Sequence, residues 1–263
     1  MMLSAPIVFG ITFAVFVALH VGAWKLMGRL GTKARWTLGL ASLLLCLPAA
    51  WFTLYYAHLL PEPPLLYELR ALPFSDGFLA LLGGAAGVWR YLLPKLLKTL
   101  PTACGIILLV VPFLKPVLRP IDPSQLTEHW DGDACIQSSM VTCGPASAAS
   151  ILRYLGDQQT TERDLAKEAW TSQSGTEAWH LAKAVKHRGF TVRFLAPDGL
   201  PDPKDLPGIL GTGGAGAGHF IAVLELTPEE IVFVDPLSGK KRMSVDQFLR
   251  WTMIHPFFMS IQR

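Results

Sequence analysis

Between Leu3 and Trp24 the chain contains no Asp, Glu, Lys or Arg, and a second run without any extends from Trp36 to Leu60. About 20 apolar residues cross the hydrocarbon of a bilayer as a helix, which satisfies every backbone polar group internally. Each run therefore predicts a transmembrane helix, and a hydrophobic content of 51% fits that better than one soluble domain. The first run reads as a span rather than a signal peptide. Its basic residues, Lys25, Arg29, Lys33 and Arg35, follow the apolar stretch instead of preceding it. In the second, Trp51, Tyr55 and Tyr56 lie near the far end, where aromatic rings favour the interface.

Charge divides the chain. Residues 1–120 hold ten Lys or Arg and three Asp or Glu, whereas residues 121–263 hold thirteen and seventeen. The basic excess lies between apolar runs, as in cytoplasmic loops, and forms no basic stripe of the kind that binds nucleic acid. Lys25 to Arg35 is then cytoplasmic, and the Pro-rich segment Pro61 to Asp76 lies outside. Gly77 to Leu93, interrupted by Arg90, and Pro101 to Leu118 add one or two further spans. Three spans leave the C-terminal half in the cytoplasm and four place it outside. Arg90, Lys95 and Lys98 make a second basic loop, which favours four. The chain thus divides into a helical membrane region, 1–120, and a soluble domain, 121–263, large enough to bury its own core.

The soluble half has the pattern of an α+β domain, with helices first and an antiparallel sheet after them. Apolar spacing predicts a buried helix from Cys143 to Leu155, with Gly156 suited to the left-handed position beyond its end. Thr161 with Asp164 reads as a capping box for a second helix through about Trp170. Thr176 is expected to cap a third helix ending at Gly189, and Ser244 with Gln247 a last one through Trp251. Short β-branched runs predict strands at Phe190–Leu195, Gly208–Leu210, His219–Leu224, Ile231–Val234 and Pro256–Ile261. Tandem strands without intervening helices cannot make parallel crossovers.

Chemistry concentrates at Cys143, where a polar loop turns into an apolar helix. Unpaired amides and the dipole at a helix N-terminus favour an anion, which suits a thiolate. Gly144 is expected to admit a substrate backbone, and Pro145 fits a first turn where its missing donor costs nothing. His219 opens a strand after a glycine-rich run, and Asp235 ends the next. An antiparallel hairpin turning at Thr227 to Glu230 brings the two together, so that the carboxylate orients the imidazole. Read singly, each residue is a buried thiol, an edge histidine or a turn-forming acid. Together they are the nucleophile, base and orienting acid that thiol catalysis requires.

The stretch from Gln137 to Cys143-Gly144-Pro145-Ala146 resembles the double-glycine leader peptidases, the bacteriocin-processing cysteine peptidases often joined to export transporters. Gly218-His219-Phe220-Ile221-Ala222-Val223 resembles that family's histidine strand. Val234-Asp235-Pro236-Leu237-Ser238-Gly239, with the segment Met243 to Phe248, resembles its acid and closing helix. The resemblance implies a papain-like fold, cleavage of leader peptides, and Gln137 as a hydrogen-bond donor to the tetrahedral oxyanion. The apolar runs and basic loops, read as four spans, make this a multi-pass protein of a bacterial-type inner or plasma membrane, with the peptidase domain expected on the extracytoplasmic side. The sequence has no GxxxxGK[ST], so any export transporter is expected to be a separate partner.

Other chemistries are weaker in the same residues. The triad would serve equally for acyl transfer to an amine, and a tethered domain that binds peptides without cutting them needs no nucleophile at all. Gly211, Gly213 and Gly216 spell GxGxxG but lead into a strand, not the helix that a phosphate cradle requires, so the run reads as a flexible lip. No CxxC pair or HExxH motif supports a metal, and no cofactor is expected. Cys135 is expected to be either a buried structural thiol or the partner of Cys143 in a reversible disulfide.

Overall fold

The computed structural model describes residues 3–56, 63–213 and 218–263. It contains two compact units. The N-terminal unit comprises α1 (Ala5–Arg29), α2 (Thr32–Tyr56), α4 (Leu81–Leu92, preceded by a 3-10 segment Ser75–Ala80), α5 (Leu100–Val110) and α6 (Leu114–Leu118). Among the described residues, three helical stretches are long and apolar enough to cross a membrane: Ala5–Arg29, Thr32–Leu54 and Lys95–Leu118. A fourth arises if Pro64–Arg70 and Ser75–Leu92, bent by 91°, count as one span.

Close helix crossing holds this unit together. A Cβ added to Gly83 would lie 2.1 Å from the Phe16 carbonyl oxygen, and one on Gly87 2.3 Å from that of His20. The two glycines are four residues apart and let the α4 backbone rest on α1, the small-residue packing common in membranes. Thr53 donates to the Leu108 carbonyl at 2.6 Å and so ties α2 to α5. At one end of the bundle Arg35 lies over the Tyr91 ring and Arg90 over that of Trp24, which brings the two basic stretches of the sequence together.

The C-terminal unit comprises Arg119–Arg263 and, unexpectedly, Pro63–Leu72. The latter carries the short helix α3 (Pro64–Arg70) from between two apolar stretches. Tyr67 of α3 stacks on Phe194 with ring centroids 4.9 Å apart and meets Phe257 edge-on at 5.2 Å. Glu68 accepts the Phe194 backbone N–H at 2.7 Å, and the Arg70 guanidinium covers Trp179 at 3.8 Å. A boundary drawn at residue 120 therefore leaves one piece of this unit behind, because α3 is held by tertiary contacts that its own sequence does not announce.

The three expected helices are α7 (Cys143–Tyr154), α8 (Glu162–Glu168) and α9 (Ala178–Lys186). Nine of the twelve residues of α7 are buried, and Gly156 takes φ +99° just past its end. Both capping boxes form, Thr161 with Asp164 and Ser244 with Gln247, the second opening α10 (Val245–Trp251). Thr176 does not cap α9. Its hydroxyl is paired with that of Thr171 at 2.7 Å, and Glu177 occupies the cap position, its side chain making no capping hydrogen bond.

The main sheet is wholly antiparallel in the order β3-β8-β4-β5-β6-β7, with β3 (Thr191–Leu195), β4 (Gly208–Thr212), β5 (His219–Leu226), β6 (Glu230–Asp235), β7 (Gly239–Ser244) and β8 (Ile254–Gln262). The edge strand β7 was not anticipated: Lys240, Lys241 and Arg242 make it read as a polar linker, although charged residues commonly blunt sheet edges. A small pair, β1 (His129–Asp131) and β2 (Ala134–Ile136), leads to α7. Phe248 of α10 packs on Leu210, Ile221, Ile231, Phe233 and Phe258 to close a core over the sheet. Gly211 and Gly213 lie at the end of β4, whereas Gly216 and the centre of the expected lip fall outside the described residues.

Gly83→Val is expected to lower the thermal midpoint of the detergent-solubilised protein by several degrees, since overpacking costs about 1–3 kcal/mol. Gly10→Val, where a new Cβ meets nothing within 4 Å, is expected to leave the midpoint unchanged in the same melts.

Candidate active site

Three elements supply the site. α7 places Cys143 in its first turn, where the amide groups have no helical partners, and Pro145 fits there without loss of a bond. One turn further on, the buried Ser147 donates to the Phe220 carbonyl at 3.0 Å. That bond sets the start of α7 against the strand residue next to His219. Sequence reasoning passed over Ser147; the available signal is a serine at i+4 from the cysteine in an otherwise apolar helix. Gly144 has a different use from the expected one. A Cβ there would lie 3.3 Å from Leu181 and 3.4 Å from Phe220, so its bareness accommodates core side chains and leaves no slot for substrate.

β5 and β6 pair as the expected hairpin, with Ala222 opposite Val234. This register puts Asp235 level with Ile221, two residues along from His219 on the same face, a diagonal within side-chain reach. His219 Nε2 and Asp235 Oδ1 are 2.9 Å apart. The Cys143 side chain lies close enough to the imidazole to raise its pKa. The structure thus brings Cys143, His219 and Asp235 together in one chain of contacts.

The electrostatics follow from these contacts. The bond that His219 donates to Asp235, and then the Cys143 side chain, raise the His219 pKa to about 9 against the opposing effect of burial. Burial of Asp235 acts to raise its pKa. The hydrogen bonds from His219, the Ser238 hydroxyl and the Leu237 N–H outweigh it and hold the carboxyl at about 2. The same carboxylate opens the turn Asp235–Gly239, where Gly239 takes φ +86°. Turn formation and imidazole binding are therefore both true of this acid.

Gln137 lies just beyond β2. Its backbone N–H donates to the Pro236 carbonyl at 2.9 Å, next to Asp235, and its Nε2 donates one hydrogen to the Ser139 carbonyl at 2.7 Å. An amide nitrogen carries a second hydrogen, and Gln137 Oε1 is buried without a protein partner. Cys135 is fully buried on β2, its backbone N–H donating to Ser150 of α7 at 2.9 Å. Burial, with the Glu162 carboxylate second, pushes its thiol up to about 12. Both it and Cys143 are unpaired in this structure. Among the described residues no cluster of His, Cys, Asp or Glu has a metal-binding arrangement.

The chain is 24% identical to the peptidase domain of Streptococcus ComA, a bifunctional ABC transporter, covering 52% of this chain and 97% of that one with a TM-score of 0.41. Over 115 residues it is 31% identical to the lactococcin-G-processing and transport ATP-binding protein LagD of Lactococcus lactis subsp. lactis, spanning 42% of this chain but 16% of that protein. An uncharacterized protein of Methanothermobacter marburgensis is 32% identical over 119 residues, 44% of this chain and 82% of that protein. The Peptidase C39 family profile matches residues 133–256, the span that holds Gln137, Cys143, His219 and Asp235. The chain belongs to the peptidase C39 family of cysteine peptidases.

Proposed function

We propose that this protein is a membrane-embedded peptidase that cleaves leader peptides after a double glycine, with Cys143 as nucleophile, His219 as base and acid, Asp235 as orienting acid and Gln137 as oxyanion donor. The observation that carries the reading is the His219 ring, hydrogen-bonded to Asp235 and close enough to the Cys143 side chain to feel it. The imidazole takes the proton of Cys143, and the thiolate so formed is the nucleophile. The thiolate adds to the scissile carbonyl, and the free hydrogen of Gln137 Nε2 meets the oxyanion that forms. Collapse breaks the C–N bond while His219 passes its proton to the leaving amine, giving a thioester. A water then gives its proton to His219 and its oxygen to the acyl carbon. The thiolate leaves, the carboxylic acid product gives its remaining proton to solvent, and the imidazolium remains. The substrate preference is inherited from relatives such as the lactococcin-G-processing protein, and a separate export transporter is the proposed partner.

The membrane reading has four spans. Helix α3 packs within the peptidase unit, so the two share one side of the membrane. An even number of crossings must then separate Leu72 from Arg119. Ser75–Leu92, with six 3-10 and twelve α-helical residues, is about 30 Å long, the thickness of the hydrocarbon core. Lys95–Leu118 supplies the second crossing. The meeting of Arg35 with Tyr91 and of Arg90 with Trp24 supports one cytoplasmic end for both basic loops, which puts the peptidase domain outside.

Three outcomes test this account. A Gly-Gly peptide carrying a thiol-directed electrophile is expected to label Cys143 of the full chain in mass mapping, with labelling lost in His219→Ala; equal labelling of that variant contradicts the triad. Hydrolysis of a fluorogenic Gly-Gly peptide is expected to decline as pH rises through about 9, where His219 gives up its proton. In Asp235→Asn the decline moves to lower pH, since the largest upward influence on the ring is gone. In a Cys143→Ser background expressed in spheroplasts, a membrane-impermeant maleimide is expected to reach Ser174→Cys without permeabilisation and Lys98→Cys only after it. The reverse pattern places the peptidase domain in the cytoplasm.

A further inference from the structure

The loop that carries Gln137 ends on a buried carboxylate that the mechanism above does not use. Glu162 is the first residue of α8 and only 1% exposed. Its side chain turns away from its own helix to Ser138, whose backbone N–H it accepts with both oxygens, at 2.9 and 3.2 Å. The Ser138 hydroxyl lies against the same carboxylate and against the Thr127 carbonyl. A carboxylate is costly to bury and keeps its place only where donors meet it. Here the donors come from one residue, the neighbour of Gln137.

The consequence is positional. The N–H of Gln137 is fixed to Pro236, in the turn that follows Asp235, and the N–H of Ser138 is fixed to Glu162. Both peptide planes around the Gln137 Cα are therefore held, one by the β6–β7 turn and one by α8. A two-carbon side chain on a backbone pinned at both sides has few ways to aim its amide, and the remaining freedom is reduced by the bond from Nε2 to Ser139. From Ser139 a turn closed by Thr142, which donates from both its N–H and its hydroxyl to the Ser139 carbonyl, leads directly into Cys143.

We infer that Glu162 is a positioning residue for peptide cleavage: by clamping the Ser138 N–H it holds the Gln137 amide where the oxyanion forms, without touching substrate. The inference rests on the proposed role of Gln137 as oxyanion donor. It assigns Glu162 an effect on the acylation step and none on the reactivity of the thiol, since Cys143 and His219 are held from α7 and β5. A merely architectural carboxylate would affect both together or neither.

The test uses the full-length protein in detergent, a fluorogenic Gly-Gly peptide for turnover, and iodoacetamide for thiol reactivity, which needs no oxyanion donor. Gln137→Ala is measured first. Unchanged turnover in that variant overturns the oxyanion reading itself. If turnover falls, Glu162→Gln is expected to lower kcat by about tenfold or more, in the range of losing or misaiming one such donor, with KM within about twofold. Its Cys143 alkylation rate is expected to match the parent at each pH. The double variant is expected to be no slower than Gln137→Ala alone, because Glu162 acts through Gln137. Full turnover in folded Glu162→Gln, alkylation lost in step with turnover, or multiplied losses in the double variant each overturn the role of Glu162. Should Glu162→Gln fail to fold, Glu162→Asp keeps the charge but, one methylene shorter, draws the carboxylate back from the Ser138 N–H. About a threefold loss of kcat with unchanged alkylation is then expected, and parent-like kcat overturns the inference.

Discussion

The His219 imidazole is shared between an acid on the neighbouring strand and a thiol on a helix far away in sequence. Both contacts depend on an ordinary feature of the fold. The β5–β6 register sets the first, and the Ser147 hydroxyl on the Phe220 carbonyl sets the second by fixing the start of α7 beside β5. Neither tie contains a reacting group, yet moving either by a residue would separate the three side chains. A one-residue slip of β6 would turn Asp235 to the opposite face of the sheet.

The surroundings of the site divide the remaining work. Asp235 is held by two turn donors and the imidazole, so it stays ionised far below neutral pH and the ring stays charged far above it. Gln137 is anchored by its backbone N–H to the Pro236 carbonyl, in the turn that Asp235 opens, which couples its loop to the acid. The segment Pro63–Leu72 contributes α3, whose Tyr67, Glu68 and Arg70 cover an aromatic surface on α9, β3 and β8. The peptidase unit is thus complete only with a segment that lies between apolar stretches of the chain.

What the sequence made legible was local. The capping boxes Thr161–Asp164 and Ser244–Gln247 and the start of α7 at Cys143 were readable because their determinants lie within a few residues. The β5–β6 hairpin was readable from two apolar runs with a short polar turn between them. What failed was tertiary. Thr176 has the chemistry of a cap but finds Thr171 instead, and Gly144 looks like an opening but is filled by Leu181 and Phe220. β7 hid behind three basic residues that suit an edge. Gln137 offered no signal of its own and entered only by resemblance. Glu162 resembled any acid at a helix start until its oxygens were seen on Ser138.

The most direct test of the shared imidazole is the titration of His219 itself, followed by NMR of histidine-labelled full-length protein before and after Cys143 is capped as a mixed methyl disulfide. A ring pKa near 9 in the free enzyme that drops once the sulfur is capped is the predicted result. A His219 that titrates near 6.5 in both forms would mean that thiol and imidazole do not share a proton, and would contradict the account.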